Sequence, residues 1–97
     1  MNVLTTEDMM LFLKEIPGND ARITISDICF DPPHIRWYIE QKLSIVENGF
    51  ESGVDDFGRN PEEAVEKSYR AVMRAGKIKV GGKLFKRCGS VFVEVRE

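Results

Sequence analysis

The sequence predicts an α+β fold, a two-layer sandwich in which two helices pack on an antiparallel sheet of four to six strands. Three observations point to it. Apolar residues recur at helical spacing near residues 6–16 and again near 61–75. Between and after these segments the hydrophobic period drops to two, and the dipeptides Asn48-Gly49 and Gly81-Gly82 are hairpin turns. At 97 residues, 42% hydrophobic and 31% charged, the chain reads as one domain over residues 1–97, too short to bury a second core.

Each element has its own reason. Thr5 or Thr6 caps the first helix, with Glu7 and Asp8 in its electropositive first turn; Met9, Phe12, Leu13 and Ile16 form its apolar face, and Pro17-Gly18 stops it. "ARITISDICF" reads as a strand in which Ile23 and Ile25 are out of phase with Ile28 and Phe30. This implies a bulge near Ser26 and Asp27 or a strand covered on both faces, before Asp31-Pro32-Pro33 forces a turn. In "HIRWYIEQKLSIVE" the odd positions Ile35, Trp37, Ile39, Leu43 and Ile45 are apolar and the even ones mostly polar, which predicts a long strand with one buried face; Gln41 alone breaks the apolar register. Residues 50–57 return as a weaker strand. The second helix starts at Asn60 (N-cap), Pro61 and Glu63 in a capping-box arrangement, buries Val65, Tyr69, Val72 and either Met73 or Gly76, and ends at Ala75 with Gly76 in the left-handed region. Residues 77–96 then alternate through a hairpin at Gly81-Gly82, a turn at Cys88-Gly89-Ser90 and a last strand of Val91, Val93 and Val95.

The start of the chain carries Glu7, Asp8, Lys14 and Glu15 within its apolar run, so it reads as neither a secretion signal nor a membrane span, and a cytosolic location is expected. Cys29 and Cys88 are far apart and outside any CxxC spacing. In a reducing compartment they read as small apolar or half-buried thiols rather than a disulfide, and with His34 as the single histidine no zinc site or other cofactor is expected.

The stretch "GVDDFGRNPEE" comes nearest to a functional motif. A phosphate would seek the free amides at the helix start, but Glu62 and Glu63 already occupy that positive end and Asp55 and Asp56 stand just before it. As metal ligands, adjacent aspartates on an extended chain point to opposite sides, and the EF-hand spacing is absent. The loop is therefore read as helix punctuation. Cys29 and His34 lie on either side of a proline corner, and no nucleophile-elbow, zincin, Walker or dinucleotide pattern occurs. An enzyme is not expected.

The formal net charge of −2 hides an asymmetry. Residues 47–66 hold seven acids and one base, whereas residues 67–87 hold eight bases and no acid, so an electrically two-faced molecule is expected. Lys67, Arg70 and Arg74 follow at helical spacing on one side of the second helix; Lys77 continues their line, and Lys79, Lys83, Lys86 and Arg87 extend it over the hairpin. With Tyr38, on the polar face of the long strand, these are the candidate partner-binding residues. Two classes fit them: a module that binds a protein, and a nucleic-acid-binding surface using residues 67–87. Exposed strand edges would also allow homo-oligomers.

Residues 37–73, a Trp-bearing strand, an acidic glycine-bearing return and "NPEEAVEKSYRAVM", resemble two groups of small proteins. One is the HicB-like antitoxin domain, with strands before a T-x-E-E-A helix; the other is the set of small phage and prophage α/β sandwich proteins with a TPEEA helix. The resemblance implies a non-catalytic, phage- or mobile-element-borne domain that inhibits or modulates a host protein by occupying it. The N-terminal helix departs from the antitoxin pattern, as does the lack of an appended DNA-binding element, so toxin neutralisation is not expected. No binding residue carries over.

Overall fold

A computed structural model describes residues 4–28, 34–54 and 57–96, and side chains for all of these except 26–28 and 34–36. The elements run α1 (Thr6–Glu15), β1 (Arg22–Ile28), β2 (His34–Glu40), β3 (Leu43–Glu47), β4 (Phe50–Ser52), β5 (Phe57–Gly58), α2 (Pro61–Ala75), β6 (Lys77–Val80), β7 (Lys83–Cys88) and β8 (Val91–Glu94). They form an α+β fold with two antiparallel sheets, ordered β1-β2-β5 and β4-β3-β6-β7-β8.

The two sheets meet along one piece of chain. β2 and β3 are the halves of the period-two segment, interrupted only at Gln41 and Lys42. Asn48 and Gly49, with φ of 52° and 81°, make the tight turn that returns the chain as β4 and then β5. The opposite edge is used by two strands in succession. β1 pairs with β2 from Ile28↔His34 up to Arg22↔Glu40, and β6 takes over on β3 from Leu43↔Val80 to Ile45↔Ile78. β1 keeps an unbroken register through Ser26 and Asp27, so its phase change is not a bulge; Ile25, opposite Trp37, is half exposed beyond the helices. The turn at residues 31–33 lies outside the described residues.

Both helices pack on one face. Thr5 and Asp8 complete a reciprocal capping box on α1, and Asn60 accepts the Glu63 amide at 2.8 Å to start α2. Met9, Leu13 and Ile16 from α1 and Val65 and Val72 from α2 share a core with Ile39, Leu43, Ile45, Ile78, Val80 and Phe85. The small residues Ala64, Ser68 and Ala71 of α2 are buried more deeply than Tyr69, whose ring receives Phe12 edge-on at 5.4 Å. Small side chains let the helix axis approach the strands, and the aromatic fills the gap to α1. Trp37, on the apolar register, is half-buried rather than core. Among the described residues no helix is long and apolar enough to cross a membrane.

Two contacts fix how the layers meet. Gly58, opposite Trp37, runs beneath the first turn of α2: a Cβ there would lie 2.5 Å from the Ala64 nitrogen and 3.0 Å from the Asn60 oxygen. At the junction of the sheets sits Asn19, fully buried. Its Nδ2 donates to the Leu13 carbonyl (2.9 Å) and to Gln41 Oε1 (3.2 Å), its Oδ1 accepts the Lys42 amide (3.0 Å), and Gln41 Nε2 donates to Ser68 Oγ (3.1 Å). This satisfies the one polar residue that interrupts the apolar register.

Asn19→Ala removes a partner from three buried or half-buried groups and is expected to lower stability by about 2–3 kcal/mol, whereas Leu11→Ala on the exposed side of α1 changes it by less than about 0.5 kcal/mol; urea unfolding of both reads the difference. Gly58→Ala meets backbone that cannot retreat, and the same measurement should give a loss of about 1–3 kcal/mol or more.

Candidate functional site

The eight bases of residues 67–87 do not form one face. On α2, Lys67 pairs with Glu63 (3.3 Å) and Arg70 with Glu66 (3.9 Å), each one helical turn earlier. On the sheet, Lys79 reaches Glu51 (3.9 Å) and Lys83 reaches Glu94 (3.9 Å). The acidic and basic halves of the sequence are thus interleaved, because an α-helix brings i and i+4 together and an antiparallel sheet lays distant segments side by side. The expected two-faced charge distribution does not form.

Arg74, Lys77, Lys86 and Arg87 are the other four, and no ion pair forms on them among the described residues. They come together where α2 hands over to β6. Gly76, at φ 73°, ends the helix by returning its amide to the Val72 carbonyl, and its own carbonyl accepts the Arg87 amide at 2.8 Å. That bond ties the end of the helix to β7. An open groove of about 490 Å³ results, lined by the four cations together with Glu47 and Asn48 from the β3–β4 turn.

Strand register sets the two lysines against each other. Ile78 and Phe85 pair and point into the core, so their neighbours Lys77 and Lys86, also a cross-strand pair, point out from the helix-free face. Like charges directly opposite each other oppose folding by roughly 0.2–1 kcal/mol. Lys86 is opposite Val93 on its other side, and Val46, Leu84 and Val95 share the same outer face. The face therefore mixes apolar side chains with Lys77, Lys79 and Lys86, and with Ser44 and Glu51 toward β4.

Tyr38 stands elsewhere. It belongs to the smaller sheet and covers its cross-strand neighbour Phe57, ring centroids 5.6 Å apart. The site residues proposed from sequence therefore fall into three sets: a groove of four cations, four cations already paired, and a tyrosine in another sheet. Cys88 is an exposed free thiol, not the half-buried one expected, because its strand ends at the Gly89-Ser90 turn beyond the helices. Cys29, Asp55 and Asp56 lie outside the described residues, as does the side chain of His34. Among the described residues no group of three or more His, Cys, Asp or Glu is placed to hold a metal ion.

No family model matches the chain, and neither comparison with curated proteins nor comparison with solved structures yields a match.

Sequence reasoning missed that Val46, Leu84, Val93 and Val95 belong beside the lysines. A signal for the lysine pair was present, since counting outward from a two-residue turn at Gly81-Gly82 sets Val80 against Lys83 and Lys77 against Lys86. Because this pair repels, the double variant Lys77→Gln/Lys86→Gln is expected to gain about 0.3–1 kcal/mol at low ionic strength. The gain should fade in about 1 M salt, where the Debye length falls to about 3 Å. Urea unfolding at both salt concentrations checks it.

Proposed function

We propose that this is a non-enzymatic binding protein, and that it engages an acidic surface of a protein partner through the groove of Arg74, Lys77, Lys86 and Arg87 and the adjoining helix-free sheet face. The observation that carries the reading is the Lys77↔Lys86 pair: two like charges held opposite one another at a cost to folding, with Arg74 and Arg87 closing on the same groove. Four cations without an ion pair among the described residues, against the single acid Glu47 in the same lining, are what an oppositely charged partner would neutralise, and such complementarity governs on-rate and orientation. The apolar side chains on the same face, Val46, Leu84, Val93 and Val95, favour a protein as that partner, since protein interfaces combine an apolar centre with a charged rim.

The setting we propose, a cytosolic inhibitor or accessory factor of a host protein carried by a virus or mobile element, is supported by the resemblance of residues 37–73 alone. A second reading, nucleic-acid binding, is favoured by the same four cations, which match what phosphate backbones attract. Against it, the described aromatic pair on the outer face, Tyr38 with Phe57, is closed on itself and lies in the other sheet, away from the groove.

The two readings separate on salt. Nuclease-treated capture of a protein partner should persist at moderate salt and weaken at least about tenfold in Lys77→Glu/Lys86→Glu, while Lys67→Glu, whose cation is already paired, has a much smaller effect. Titration of a generic duplex oligonucleotide should give no appreciable binding. If the chain binds that duplex with a log–log salt slope of about −3 to −4, the value for four phosphate contacts, and the double reversal abolishes it, the nucleic-acid reading replaces the protein one.

A further inference from the structure

β8 ends the five-stranded sheet, pairing with β7 on one side and forming its outer edge on the other. Edge strands in soluble proteins are normally blunted by proline, lysine, bulges or extreme shortness, because their free amides and carbonyls template another strand. "VFVEVR" has no proline, no lysine and no bulge; its one charge on the helix side, Glu94, is paired with Lys83 and Arg96, and its pairing with β7 runs on to Val95, whose amide donates to the Leu84 carbonyl at 2.8 Å. Val91, Val93 and Val95 turn their backbone groups to β7 while their side chains stay 55%, 50% and 38% exposed; by alternation the backbone groups of Phe92 and Glu94 point outward.

We infer that this edge pairs with β8 of a second copy, antiparallel and centred on Val93, joining the two five-stranded sheets across a twofold axis. The charges select the register. Centring on Glu94 would set Glu94 against Glu94 of the other chain, centring on Val95 would shorten the overlap, and centring on Phe92 would lay Glu94 and Val95 against the Ser90 and Gly89 turn of the other chain. Centring on Val93 places Val93 on Val93, Val91 on Val95, Phe92 against Glu94 and Ser90 against Arg96, so no like charges face each other and six valines join in one outer ladder. Glu94 enters such a seam already compensated, with Lys83 at 3.9 Å and Arg96 at 3.6 Å. On the helix side the strand is backed by an apolar groove of about 700 Å³ over Val80, Phe85 and Phe92, with Phe92 anchored against Phe12 at 6.0 Å.

The pairing has a consequence for the outer face. Lys86 is opposite Val93, so the rung across the axis becomes Lys77, Lys86, Val93 and then the same residues of the second copy in reverse. Three strand spacings, about 14 Å, separate the two Lys86 positions. Two basic ends thereby face the same way on one continuous sheet, a bivalent surface suited to an extended or twofold acidic partner.

Sedimentation equilibrium or light scattering of the full chain over a concentration series should give a mass approaching twice 11.1 kDa. Val93→Lys, a change at an exposed side chain, should return the monomer mass with unchanged circular dichroism. Should that variant fail to fold, Val93→Cys in a background of Cys29→Ser and Cys88→Ser settles the register: mild oxidation is expected to give a covalent dimer, because Val93 on Val93 is a non-hydrogen-bonded pair whose Cα atoms lie about 4.5 Å apart, within the span a disulfide bridges. Glu94→Cys in the same background should cross-link far less. A monomer mass at every concentration, an unchanged dimer in folded Val93→Lys, cross-linking through Glu94→Cys instead, or masses growing beyond the dimer would each overturn the proposal.

Discussion

Asn19 is fully buried, and its carboxamide holds three groups together: the Leu13 carbonyl in the last turn of α1, the Lys42 amide just before β3, and the Gln41 side chain at the gap between the two sheets. The chain from β2 to β3 has to change partners at this point, because β1 stops at Arg22↔Glu40 and β6 begins at Leu43↔Val80. A strand that loses one neighbour before gaining the next leaves amides without a ladder. Asn19 supplies the missing partners, giving both its main-chain oxygen (3.1 Å) and its side-chain oxygen to the Lys42 amide, and Gln41 completes the bridge to Ser68 on α2. Everything placed on β6 and β7, the cationic groove included, is aligned through this junction.

The second helix inherits its position from the same geometry. Once β5 follows β4 back along the long strand, the chain can enter α2 only by passing close under its first turn, and Gly58 is the residue that permits the approach. Val65 and Val72 then join the core that holds Ile39 and Ile45, and the last turn arrives beside β7, where the Gly76 carbonyl meets the Arg87 amide. Arg74 and Arg87 are neighbours because a helix of this length, started at Asn60, ends there.

Much of this was legible in the sequence. The helix limits could be read because caps are local chemistry: Thr5 with Asp8, Asn60 with the Glu63 amide, and Gly76 in the left-handed region need no knowledge of the fold. The Asn48-Gly49 and Gly81-Gly82 turns are local in the same sense. What could not be read depends on pairs distant along the chain. Gln41 appears in the sequence only as a flaw in the apolar register, since its partners Asn19 and Ser68 lie 22 and 27 residues away. The charge asymmetry misled for the same reason, as Glu51 and Glu94 reach the basic segment only through β-pairing. Of the candidate site, the four groove cations were named from sequence but could not be separated from the four that are paired.

The valines of β8 fit neither a core nor a solvated strand on pattern alone. Alternation marks one face as apolar without saying which face is covered, and here Phe92, not the valines, turns inward to meet Phe12. The reason is the number of layers. Two helices cover one side of the strands, and among the described residues no further helix covers the other. Lysines at Lys77, Lys79 and Lys86 keep the middle of that open side wetted, yet β8 beyond them carries only valine outward. An apolar edge next to a basic centre is consistent with a sheet whose boundary is another polypeptide rather than water. It is also why the charged groove and the bare strand, though they would meet different partners, belong to one surface.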